Sequence, residues 1–167
     1  KNLSNAHFGI HVHVGMYSSS RYVEIINEDV RYFISQFCND VGNESYLTRL
    51  AGRSFNSYCI ADPQKKIQQK SFVVNNGEHH QIYVPRTRKG TSEFRLFQSH
   101  AKPNTIMTYL EFAHALTRYA LHHHARINTH CNWEKFVEWV ETQSKYPKLQ
   151  RRNRQIQVAL LHSVDVE

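Results

Sequence analysis

Histidines, a glutamate and an arginine recur in this chain at the spacing of β-strands. In Gly9-Ile10-His11-Val12-His13-Val14-Gly15 and the residues just before it, Phe8, Ile10, Val12 and Val14 alternate with His7, His11 and His13. Successive side chains of a strand point to opposite faces, so the three imidazoles share one face. In Ser92-Glu93-Phe94-Arg95-Leu96-Phe97 the same alternation gives Phe94 and Leu96 one face and Glu93, Arg95 and Phe97 the other. A half-buried strand ordinarily turns Lys, Thr or Ser to solvent. These two strands instead offer imidazoles, a carboxylate and a guanidinium. Placed in one sheet, they line a polar surface with the groups to hold a metal ion and an anion.

The intervening elements have to bring the two strands together. Asn27 reads as the N-cap of a helix, with Glu28 and Asp29 in its first turn and Val30, Phe33, Ile34 and Phe37 on its apolar face, ending near Cys38. Asn39 to Asn43, with Gly42, reads as a helix end, and Leu47, Leu50 and Ala51 as one short helical turn before Gly52-Arg53. Lys70 to Asn75 is a strand by its apolar run, Asn76-Gly77 is the strongest turn signal in the chain, and residues 81–84 are the hairpin partner. Thr91 to Gln98 is the second key strand. The longest helix runs from about Thr105 to His124, with Ile106, Leu110, Ala113, Leu116 and Ala120 on its stripe. Asn132 caps another helix that buries Trp133, Phe136, Val137 and Val140, and residues 149–161 form a last helix, basic at first and apolar later.

With 167 residues the chain is expected to fold as one α+β domain, an antiparallel sheet with helices packed on one face. Residues 145–167 form a basic C-terminal extension of it. The formal charge of +7 makes anionic partners plausible, and the excess gathers at Arg86 to Lys89 and Lys145 to Arg154. No run approaches a membrane span and no apolar leader opens the chain. Three widely spaced cysteines, Cys38, Cys59 and Cys131, suit a reducing compartment rather than a disulfide framework. The expected location is therefore the cytoplasm, that of the bacterial host for a phage-encoded chain.

The order of these features resembles the phage and bacterial amidoligases, ATP-using carboxylate–amine ligases of the glutamine-synthetase-like superfamily. The resemblance spans roughly His7 to His124. It rests on a Gly-x-His-x-His-Val strand, a helix, an Arg segment ending at an aromatic-Cys pair (Arg53 to Cys59), a basic residue ahead of an apolar strand ending in Asn (Lys70 to Asn75), then Glu93-Phe94-Arg95-Leu96-Phe97 and a long helix. It implies a fold similar to part of a glutamine-synthetase-like domain, ATP and Mg²⁺ as cofactors, and a carboxylate and an amine as substrates. It also implies that His11 and Glu93 are metal ligands, that His13 reaches a nucleotide phosphate, that Arg95 contacts the substrate carboxylate or the transferring phosphoryl group, and that Arg53 and Lys70 lie near phosphates, Arg53 as a catalytic and Lys70 as a cofactor-binding residue. Acyl activation needs such cations, because Arg and Lys neutralise charge on transferring oxygens.

The superfamily draws further metal carboxylates from an earlier Glu-x-Glu strand, and nothing before His7 contains a Glu. The first expectation is a domain that is N-terminally incomplete; the alternatives are one that completes its site with another chain, as in an oligomer, and one that keeps the fold but has lost catalysis. The alternative function is a noncatalytic basic module, structural or nucleic-acid-binding, that contacts phosphates through Lys145, Lys148, Arg151, Arg152 and Arg154. The histidines His122, His123, His124 and His130 near Cys131 suggest zinc by composition only. Consecutive histidines at a helix end point in different directions, so they are expected to decorate the helix C-terminus.

Overall fold

The computed structural model describes residues 9–15, 24–53, 82–85, 87, 90–99 and 102–164. Along the chain these form β1 (Gly9–Gly15), α1 (Glu28–Asn39), α2 (Val41–Ala51), β2 (Tyr83–Val84), β3 (Thr91–Gln98), α3 (Pro103–His123), a 3₁₀ turn (His124–Arg126), α4 (Ile127–His130), α5 (Trp133–Glu141) and α6 (Pro147–Val164). The strands make one antiparallel sheet in the order β1-β3-β2, and the helices pack on its apolar face. The class is therefore α+β. The expected strand Lys70 to Asn75 and the Asn76-Gly77 turn lie outside the described residues, while Tyr83 and Val84 pair with Phe94 and Glu93 of β3. Among the described residues no helix is long and apolar enough to cross a membrane.

The pairing of β1 with β3 is the joint on which the sheet turns. Val12, His13, Val14 and Gly15 lie opposite Phe94, Glu93, Ser92 and Thr91, but Ile10 lies opposite Phe97. Arg95 and Leu96 thus face the single residue His11, a β-bulge in β3. The bulge corrects the simple alternation at Phe97. Expected on the polar face beside Glu93 and Arg95, Phe97 is instead fully buried and stacks on Tyr109 with ring centres 4.4 Å apart. Strand alternation holds only up to an inserted residue, and the pairing that inserts it is not local information.

The core is aromatic and centred on α3. Phe112 meets Phe94, Phe97 and Phe136 edge to face at 6.1, 6.0 and 5.7 Å, which ties the sheet to α5 through one side chain. The expected stripe of α3 is shifted by these rings. Tyr109, Phe112, Ala113, Leu116 and Ala120 are buried, whereas Leu110 is 44 % exposed. Counting only aliphatic residues turns the helix by about one position, because the larger aromatic surfaces decide which face is inside. Within residues 145–167, expected as the basic extension, Pro147–Val164 form α6, which places Leu149, Asn153 and Ile156 in the interior.

The helix after α1 differs most from expectation. Asn39 to Asn43 reads as a helix end, and α1 does end there, but Asp40 also caps α2, its Oδ1 accepting the Gly42 N–H at 2.8 Å. Gly42 is accommodated in the first turn, and α2 continues for 11 residues to Gly52, whose φ of +72° closes it. Buried Asn43 explains why the helix sits there. Its Nδ2 donates to the Phe37 carbonyl at 2.9 Å and the Cys131 carbonyl at 3.3 Å, and its Oδ1 accepts the Trp133 N–H at 2.8 Å. One amide therefore joins α1 and α2 to the turn that starts α5. Asn43→Ala leaves these groups unpaired, and urea unfolding is expected to show a loss of about 2 kcal/mol. An unchanged midpoint would mean that the three bonds add nothing to stability.

Candidate functional site

The polar face of the sheet assembles around Glu93. Central position in the sheet places this residue between His13 of β1 and Val84 of β2, and only 4 % of it is exposed. An ionised carboxylate so placed has to be met by partners. His11 Nδ1 lies 2.7 Å from Glu93 Oε1, Arg95 Nη2 donates to Glu93 Oε2 at 2.9 Å, and His13 Nε2 stands 3.6 Å from Oε1. Four of the six expected site residues, His11, His13, Glu93 and Arg95, therefore meet on one surface. The two imidazoles are exposed, so the carboxylate forms the floor and the rings the rim.

A carboxylate only accepts, so the close approach of His11 Nδ1 to Glu93 Oε1 favours the tautomer with its hydrogen on Nδ1. In the neutral imidazole Nε2 is then a lone pair, which gives the site one oriented base or metal ligand. Burial pushes the Glu93 carboxyl upward, but the Arg95 hydrogen bond and charge, together with the charges of His11 and His13, outweigh it and hold the group below its ordinary value. Glu93 stays ionised near neutrality. His13 Nδ1 is 3.0 Å from Thr91 Oγ1, which is itself 2.8 Å from Thr87 Oγ1. Thr91 is a site residue that the sequence reading passed over, although it lies two positions before Glu93 and therefore on the same strand face.

Arg53 reaches this face from the end of α2. A Cβ added to Gly9 would stand 3.3 Å from Arg53 Nη1 and 3.0 Å from the Phe97 carbonyl oxygen, so the absence of a side chain at Gly9 leaves room for the guanidinium. Gly9 occupies the same side of β1 as His11 and His13. Arg53 thus extends the polar surface along the strand rather than contacting Glu93. Lys70 lies outside the described residues.

The donor set answers the expectation of Mg²⁺ only in part. Magnesium favours oxygen ligands, usually several, in octahedral geometry. Among the described residues this face supplies one carboxylate, already engaged by His11 and Arg95. Glu24 is paired elsewhere, its Oε1 accepting from the buried Arg31, and Glu28 stands in the first turn of α1. Among the described residues no group of three or more His, Cys, Asp or Glu side chains is arranged to hold a metal ion. These residues by themselves do not complete a Mg²⁺ site.

The histidines after α3 are packing groups. His123 stacks on His130 with centres 4.6 Å apart and contacts Tyr119 at 4.5 Å, while His124 Nδ1 lies 3.2 Å from the Ala120 carbonyl. Cys131 directs its thiol toward the Phe33 carbonyl at 3.6 Å, and burial, with a smaller contribution from Asp40, pushes that thiol up to about 12.

The depressed carboxyl of Glu93 has a consequence for stability. A folded value below the unfolded one means stabilisation that is fully present above pH 4.5 and is lost as pH falls through the folded value. Near neutrality Glu93→Gln is expected to lower unfolding stability by about 3 kcal/mol, since it leaves Arg95 facing a neutral group. In denaturant titrations the gap between the two proteins closes as pH drops below 4.5. A gap independent of pH would contradict the ion-paired carboxylate. No protein-family model, curated protein or solved structure matches the chain.

Proposed function

We propose that the chain acts in the ATP-dependent joining of a carboxylate to an amine. The observation that carries this reading is the buried Glu93 carboxylate held between His11 Nδ1 and Arg95 and directly opposite His13 across the β1–β3 pair. It supports the reading because amide formation has two needs that this surface addresses. The carboxylate substrate has to be bound and its charge offset, and a guanidinium suits that task through paired N–H donors. Among the described residues Arg95 and Arg53 bring guanidinium groups to this face. The amine nitrogen has to shed a proton as the C–N bond forms, and His11, with Nδ1 against Glu93, offers the lone pair of Nε2 to take it. His13, steadied by Thr91, would contact a phosphate, and bound ATP would supply the phosphoryl group that activates the carboxylate.

Calorimetric titration of a nonhydrolysable ATP analogue, with and without Mg²⁺, into the chain and its Glu93→Gln variant tests the reading. Binding in the presence of Mg²⁺ that the variant weakens by at least about tenfold, a difference of about 1.4 kcal/mol, is the expected result. Absence of binding to the unaltered chain, or equal binding to both proteins, sinks the assignment.

A further inference from the structure

The basic run between residues 145 and 154 is sorted by α6 into separate uses. Arg154 pairs with Glu141 at 3.0 Å, and Lys145 Nζ lies 5.7 Å from the centre of the Tyr146 ring. Leu149, Asn153 and Ile156 face inward, with Asn153 Oδ1 accepting the Tyr46 hydroxyl at 2.9 Å. Lys148, Arg151, Arg152 and Gln155 follow helical spacing on another stripe. They line a cleft of about 640 Å³, to which Lys102, just ahead of α3, adds a fourth cation.

Apart from Leu50 the remaining lining is mostly polar, and among the described residues it holds no carboxylate. Asn104, Thr105 and Thr108 come from the start of α3, and Gly52 and Gln98 from the ends of α2 and β3. Glu111, which stands against the start of α6, is engaged by the Leu149 N–H at 2.8 Å. Arg152 is oriented by donating to the Arg49 carbonyl. Tyr109 also borders the cleft, but it is buried and its hydroxyl donates to the Ala51 carbonyl at 3.0 Å, so it offers no open plane for a base. The first turn of α3 holds no acidic residue, and its positive end adds to the same field. Four like charges gathered without a carboxylate repel one another until an anion joins them.

We propose that this cleft binds closely spaced phosphate groups, recognised by charge and paired N–H donors without stacking of a base. Arg forks fit phosphate oxygens two at a time, and four cations from separate segments exceed what one phosphate can use. The phosphates belong to a nucleic-acid backbone or to a free polyphosphate, and the site is independent of the ligase assignment.

Inorganic tripolyphosphate titrated calorimetrically into the chain, a Lys148→Ala/Arg151→Ala double variant and Arg154→Ala tests it. These side chains are exposed, so the variants keep the fold, which circular dichroism checks. The double variant weakens binding by at least about tenfold, whereas Arg154→Ala, with the same charge on the same helix, changes it by less than about twofold. Failure of tripolyphosphate to bind, or equal losses in the two variants, overturns the site in favour of diffuse attraction. A labelled oligothymidylate separates the sources. Binding that tripolyphosphate displaces and the double variant loses identifies a nucleic-acid backbone. An oligonucleotide that is not bound, or not displaced, identifies a free polyphosphate.

Discussion

Burial of the Glu93 charge is the constraint on which the sheet depends. Taking a carboxylate out of water costs several kcal/mol unless partners replace its hydration. Here Arg95 reaches it from two positions along β3, and His11 does so only because β1 runs antiparallel to β3 with His13 in register with Glu93. A slip of one residue would turn the histidines to the core and Val12 and Val14 to solvent. Register, charge compensation and core burial are therefore one requirement, met together.

The bulge at Arg95 and Leu96 lets both faces of β3 be used fully. Beyond it Phe97 rejoins Phe94 on the inner side, where both meet Phe112. Continuous alternation would have put an aromatic ring on the polar surface. The inserted residue keeps that surface for Glu93 and Arg95 and completes the aromatic contact with α3. The side chains that do chemistry thus stand on elements fixed from behind by packing, which is what orients a site within the tolerance that binding demands.

The end of α2 links the two polar regions. Gly52 borders the basic cleft, and a Cβ on it would stand 3.1 Å from Gln98 Oε1. The next residue, Arg53, lies beside Gly9, which pairs with Gln98. Along β3, Glu93 and Gln98 are about 17 Å apart at the usual rise. β3 therefore carries in its first half the carboxylate that the β1 imidazoles meet and at its end the rim of a cationic cleft.

By itself the sequence determined the elements whose signals are local: alternation in β1 and β3, the Asn27 and Asn132 caps, the long α3, and the grouping of His11, His13, Glu93 and Arg95 on strand faces. Those signals suffice because strand and helix periodicity depend on near neighbours alone. Only the tertiary structure decided that β1 pairs with β3, that a bulge carries Phe97 inward, and that Asn43 sits within a helix rather than at the end of one. It alone turned α3 onto its aromatic face and divided the basic run between a cleft, an ion pair and an aromatic ring. Each of these follows from contacts between residues far apart in the chain, where burial and hydrogen-bond satisfaction outweigh local propensity.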